Sequence, residues 1–133
     1  MRVVLDTNVL VSAFLSAKGN PASILRQVLL GDLELCTSAA ILAEYEQVLS
    51  RPKFSDRIQA QAIKRFFEIL DSISTTINSP IYDVRLPDPN DQDFYDVAKT
   101  ADAVLITGNK KHFPDESFIQ SPAEFLERYL GSR

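Results

Sequence analysis

A short apolar run, Val3-Val4-Leu5, opens the chain and ends abruptly in Asp6-Thr7-Asn8. So short a run without polar alternation reads as a strand buried on both faces, the kind found inside a parallel sheet. Ligands of open α/β sheets bind outside the carboxyl ends of parallel strands. Asp6 therefore stands where a metal ligand or a nucleophile belongs. Asp6, Thr7 and Asn8 are equally good helix caps, and the segment alone leaves both roles open.

The rest of the chain repeats the alternation. Apolar spacing predicts a helix over 9–15 and another restarting at Pro21, with Ile24, Leu25, Val28 and Leu29 on one face and Gly31 as its stop. A second strand is expected over 33–37. Ser38 caps a helix running to about residue 50, where Pro52 ends it. A further helix is expected over 55–72, a short β-branched strand over 74–78, and a Pro- and Asp-rich loop over 80–90. A helix over 91–100 precedes the clearest interior strand, 103–107. A last short strand is expected over 118–120, and Ser121-Pro122-Ala123-Glu124 forms a capping box that starts the C-terminal helix. Strands alternating with helices call for an α/β fold, a parallel sheet of four to five strands sandwiched between helices. No linker divides the chain, so residues 1–133 read as a single domain.

Composition narrows the functions available. The net charge of −4 argues against a uniformly basic nucleic-acid surface, so a polyanion must bind a local patch. One Cys excludes an internal disulfide and, with one His, leaves too few ligands for a structural zinc site. No apolar run approaches the ~20 residues of a membrane span, and the N-terminus lacks a signal-peptide core. The expectation is a cytoplasmic protein with no membrane association.

Three segments offer carboxylates. Asp6 is the first. Glu44 and Glu46 flank the apolar stripe of the 38–50 helix, one at each border, and the wheel does not choose between them. Asp88, Asp91, Asp93 and Asp96 crowd the start of the next helix, where acidic groups also suit the helix dipole. Asp91 sits at the helix entrance, and Asp93 is the one expected to face water. Leu105-Ile106-Thr107-Gly108-Asn109 repeats the opening pattern, and two such strand ends side by side make a crevice. Carboxylates gathered there repel one another unless a hard divalent cation neutralises them. His112, in the cluster Lys110-Lys111-His112, completes no Ser-His-Asp or Cys-His set.

Taken in order, Leu5-Asp6-Thr7-Asn8-Val9, Glu44, Asp91 ahead of Phe94-Tyr95-Asp96-Val97-Ala98, and Leu105-Ile106-Thr107-Gly108-Asn109 resemble the signature of PIN-domain proteins. The closer likeness is to the PIN-family toxins of bacterial and archaeal toxin–antitoxin pairs, similar to VapC. The resemblance implies a metal-dependent ribonuclease, an endonuclease cleaving RNA phosphodiester bonds with one or two Mg²⁺ or Mn²⁺ ions. It places Asp6, Glu44 and Asp91 as the catalytic, metal-binding acids, and so favours Glu44 over Glu46. Many PIN domains carry a fourth acid where this chain has Asn109, which leaves the number of ions open; Asp93 or Asp96 is the available substitute.

In that reading Thr7, Asn8 and Thr107 orient waters or phosphate oxygens. The RNA backbone meets local positive charge at Arg51 and Lys53, at Lys64 and Arg65, or at Lys110 and Lys111. An antitoxin protein is the expected partner, and a homodimer the expected assembly, with the 55–72 helix a candidate surface. The alternative is a catalytically silent PIN-fold scaffold that binds RNA or protein, which Asn109 favours and the intact trio of acids opposes. A receiver-like or dehalogenase-type phosphotransfer domain fits less well, because no second acid accompanies Asp6 and Asn8 stands two residues after it.

Overall fold

The computed structural model describes residues 1–131; Ser132 and Arg133, the end of the expected 1–133 unit, lie outside them. Five parallel strands form one sheet in the order β3-β2-β1-β4-β5: β1 is Arg2–Leu5, β2 Glu34–Thr37, β3 Thr75–Thr76, β4 Val104–Ile106 and β5 Ile119–Gln120. Six α-helices accompany them among the described residues: α1 Thr7–Leu15, α2 Asn20–Leu29, α3 Ala39–Leu49, α4 Ala60–Ile73, α5 Gln92–Ala101 and α6 Pro122–Gly131. The expected helix-covered parallel sheet is therefore the fold. Val3, Val4, Leu5, Leu105 and Ile106 are all but inaccessible, which is why these strands show no polar alternation.

Chain order and strand order diverge at one place. From β1 the sheet grows outward through β2 to β3, and β4 and β5 are then added on the other side of β1. The carboxyl ends of β1 and β4 thus lie side by side at the point where the winding reverses, the usual crevice of an open α/β sheet. Helix α5 packs across β2, β1 and β4 and touches α3, bringing its N-terminus toward that crevice.

Local signals explain most element boundaries. The Asp32 amide donates to the Gln27 carbonyl (2.9 Å) and the Gly31 amide to that of Val28 (3.1 Å), with Gly31 at φ 87°, so α2 ends in a Schellman turn that requires the glycine. Ser121 and Glu124 exchange the two hydrogen bonds of a capping box, at 2.9 and 3.1 Å. Helix α1 starts at Thr7 rather than at residue 9, because the Asp6 side chain caps it.

The 55–72 expectation is corrected more substantially. Pro52–Phe54 forms a 3-10 turn, Gln59 is extended, and α4 begins only at Ala60. Ile58 is buried in the intervening turn, so its apolar character marks packing rather than helical phase. At the other end, a 3-10 turn at Pro89–Asp91 precedes α5, which starts one residue later than expected.

Candidate metal centre

Asp6 is the helix cap its position allowed, and it stands at the strand-end crevice. Its Oδ1 accepts the Thr7 amide at 2.8 Å, capping α1. Its Oδ2 accepts the Thr107 hydroxyl at 2.7 Å, across the gap between β1 and β4. Residues 101 positions apart are thereby joined where the two strands end. The Asn8 Oδ1 atom accepts the Gly108 amide at 3.1 Å, and a Cβ at Gly108 would stand 3.4 Å from that same oxygen. The Asn8–Gly108 hydrogen bond thus ties the two strand-end loops together. Thr107 Oγ1 also accepts the Asn109 amide at 3.0 Å.

Glu44 reaches the same place from α3. Its Oε2 accepts the Thr7 hydroxyl, while Tyr45 beside it buries its ring and donates to the Leu5 carbonyl at 2.6 Å. That buried phenol locks α3 to the end of β1, and burial pushes its pKa far above the ordinary value. Glu46 is exposed on a different side of the helix, so the structure brings Glu44 and not Glu46 to the crevice. Thr7, Asn8 and Thr107 spend their side chains on Glu44, Gly108 and Asp6, so they set the acids and loops in place.

Asp91 is the odd member. It stands at the N-cap position of α5 yet makes no capping hydrogen bond with its side chain. Its Oδ2 is buried and accepts no hydrogen bond at all. The His112 Nδ1 atom lies 3.5 Å from it. Burial, then the Asp6 and Asp88 charges, push the Asp91 carboxyl up to about 6. Burial also raises Asp6, against the lowering by Thr107 and Thr7, and raises Glu44, to which Asp6, Asp93 and Asp88 add. Asp91 thus feels the charges of Asp6 and Glu44, and Glu44 that of Asp6.

The remaining acids divide. Asp93 is exposed, as expected of it. Asp96 is buried, but its Oδ1 accepts from the Tyr82 amide (3.1 Å) and the Gln92 amide side chain (2.7 Å), fastening the 77–88 loop to α5. That commitment gives Asp96 a structural role. Asp88 caps the Pro89–Asp91 turn through the Asn90 amide at 2.9 Å. Asn109 turns its side chain toward His112, its Nδ2 3.4 Å from Nδ1.

A polar groove of about 460 Å³ opens beside these residues, lined by Glu44, Gln47, Arg51, Asp88, Asn90 and Asp91. Of the basic candidates, Arg51 is the one that lines it. A smaller apolar pocket of about 220 Å³, with Leu49, Ile58 and Ile63 in its wall, shares Arg51. Lys53 stands 5.0 Å from the Phe54 ring centre and Lys110 pairs with Glu124 at 3.0 Å. Lys64 lines a depression along α4 with Phe67 and Asp71, and Arg65 and Lys111 are exposed.

A family model of the PIN domain matches residues 2–111, which span β1 to the loop beyond β4 and include Asp6, Glu44, Asp88, Asp91, Asp93 and Asp96. The chain belongs to the PIN-domain family. Proteins with this domain are generally nucleases and typically use divalent metals. This PIN domain is also similar to the uncharacterized protein MJ1680 of Methanocaldococcus jannaschii, 28% identical over 142 residues, an alignment covering 97% of this chain and 92% of that protein. No solved structure matches.

The residues fit a hard divalent ion on two observations: an all-oxygen donor set, and a buried Asp91 oxygen without a partner. Among the described residues no group of three or more His, Cys, Asp or Glu side chains is placed to hold a metal ion by itself. No described helix is long and apolar enough to cross a membrane.

Sequence reasoning passed over Tyr45, Gln47 and His112. Tyr45 belonged to the apolar stripe and gave no sign of its hydroxyl. The signal for His112 was its place three residues beyond Asn109, just past a strand end.

Proposed function

We propose that this PIN domain is a divalent-metal-dependent ribonuclease that cleaves RNA phosphodiester bonds, with Asp6, Glu44 and Asp91 as its metal-binding catalytic acids. The observation that carries the reading is Asp91 Oδ2, a buried carboxylate oxygen without a hydrogen-bond donor beside two other acids at the sheet's switch point. Burying such an oxygen is costly unless something positive binds it.

The chain's own residues have distinct tasks. Thr107 and the Thr7 amide hold Asp6, and the Thr7 hydroxyl holds Glu44, so both carboxylates are oriented before substrate arrives. Arg51, on the groove wall, takes a phosphate of the RNA backbone. When bound, a divalent ion supplies an activated water and positive charge at the leaving 3′ oxygen. No acid needs to form a covalent bond with RNA.

The likeness of the site motifs to VapC-type toxins supports a toxin role within a toxin–antitoxin pair. An antitoxin would cover the acidic groove, with a basic side chain matched to its charge. A homodimer through α4 is the assembly this reading favours, since Ile63, Phe67 and Ile69 are only partly covered. Incubating total cellular RNA with the purified chain and Mn²⁺, Mg²⁺ or EDTA tests the enzyme. Cleavage is expected with metal and absent with EDTA and in Asp6→Asn; equal cleavage by that variant would refute the assignment. The silent-scaffold alternative gains from the loose spacing of the acids. It predicts no specific Mn²⁺ binding by calorimetry.

A further inference from the structure

His112 is the sole histidine of the chain, and the structure sets it against the least satisfied atom of the site. Its Nδ1 lies 3.5 Å from Asp91 Oδ2, yet that oxygen accepts no hydrogen bond. A charge-assisted N–H···O bond would be about 2.8 Å long. On its other side Nδ1 lies 3.4 Å from Asn109 Nδ2. An amide nitrogen only donates, so the tautomer with the ring proton on Nε2 makes this contact a hydrogen bond and leaves the Nδ1 lone pair beside the Asp91 oxygen.

A lone pair aimed near a carboxylate oxygen repels it. A cation between the two turns that repulsion into shared ligation. The spacing suits this: donors each about 2.1 Å from one ion stand ~3.0 Å apart at a right angle and ~3.4 Å at the tetrahedral angle. The backbone presents the ring through a short turn, in which the His112 amide donates to the Asn109 carbonyl at 3.0 Å and the Phe113 amide to that of Lys110 at 3.0 Å. Phe113 is buried and anchors the turn.

We infer that His112 Nδ1 is a nitrogen ligand of the divalent ion held at Asp91, oriented by the Asn109 amide, and that it turns the site toward Mn²⁺ and related first-row ions over Mg²⁺. Imidazole suits such transition ions, whereas Mg²⁺ takes oxygen donors and water. The inference rests on the carboxylate site proposed above and adds a ligand that the acids alone do not provide. Asn109 is here a positioning residue.

The test uses the full chain without a histidine tag, so that any imidazole nitrogen near the metal belongs to His112. Mn²⁺ is added to the metal-free protein, and electron spin-echo envelope modulation is recorded for the wild type and His112→Gln, with calorimetric titrations of Mn²⁺ and Mg²⁺. The expected result is a ¹⁴N imidazole modulation in the wild type that disappears in the variant. Mn²⁺ affinity in the variant is expected to fall by roughly tenfold or more, while Mg²⁺ affinity changes by less than about twofold. Specific Mn²⁺ binding without nitrogen modulation in the wild type overturns the His112 ligand and leaves the carboxylate site standing. Absence of specific Mn²⁺ binding in the wild type overturns both.

Discussion

Both oxygens of Asp6 accept hydrogen bonds, whereas Asp91, in the same crevice, keeps a buried oxygen that accepts none. Asp6 is part of the fold: it caps α1 and joins the end of β1 to that of β4. Asp91 takes a capping position without capping and carries a carboxyl pushed up to about 6. A carboxylate that closes its own hydrogen bonds can contribute to folding and to ligand binding together. One that stays unpaired weakens the empty fold, and such a residue is explained by what binds it. On the proposed reading the difference separates an acid that shapes the site from one held for the ligand, and substitutions at the two positions should separate along that line.

The largest expected effect is on activity at Asp6. Asp6→Asn keeps the shape and removes the charge, and metal-dependent RNA cleavage should fall by roughly a hundredfold or more. Circular dichroism should remain that of the wild type. Asp6→Ala removes the cap and the Thr107 bond as well, and should cost about 1 kcal/mol of stability in urea titrations. A variant that cleaves normally would remove Asp6 from the chemistry and leave it as a cap.

Asp91→Asn should divide the two properties the other way. Cleavage is lost, but the metal-free protein at pH 7 should melt a few degrees higher, in the range where about 1 kcal/mol moves the Tm of a domain of this size. The stabilisation should vanish when Mn²⁺ is present, because wild type then gains the ion. A lower Tm for metal-free Asp91→Asn would mean that the carboxylate has a structural partner after all.

The alternation of strands and helices, the glycine stop of α2, the capping box and the position of Asp6 were all legible in the sequence, because each is a local pattern read within a few residues. What remained hidden depends on distance or on the third dimension. The Thr107–Asp6 bond joins strands whose adjacency the sequence only suggested. Asp96 looked like one more acid of a pile, and only the Tyr82 amide on the returning loop shows it to be structural. The start of α4 was placed too early because Ile58 fits the helical phase of residues beyond it, while Pro52 and the extended Gln59 set the backbone. His112 looked like part of a basic cluster, although its ring lies against Asp91.

The pH dependence of stability offers a finer division of the two acids. In the folded protein the Asp91 carboxyl is raised from an ordinary 3.8 to about 6. A group raised in this way supports the fold only while protonated. Its contribution is full below pH 3.8 and is lost as the pH rises through 6. Metal-free wild type and Asp91→Asn should therefore have similar Tm values near pH 4. Their difference should open between pH 4 and 6 in favour of the variant and stay constant above pH 7. A gap independent of pH would attribute the change to packing rather than to charge.

The smallest effect is expected at Glu46, and its value lies in being null beside Glu44. The two lie two positions apart on α3, at opposite borders of its apolar stripe. Glu44 accepts the Thr7 hydroxyl and lines the polar groove, whereas Glu46 is exposed and borders a shallow depression with Lys64 and Phe67. Glu46→Gln removes a solvated charge and should change stability by less than about 0.5 kcal/mol, with cleavage and Mn²⁺ affinity unchanged. Glu44→Gln keeps a side-chain oxygen for Thr7 but lowers the negative charge that a divalent ion meets, so Mn²⁺ affinity should drop while the fold persists. Equal losses in the two variants, followed by calorimetry and RNA cleavage, would show that the ion responds to the general charge of α3. A loss confined to Glu44 ties it to the one carboxylate that Thr7 holds at the end of β1.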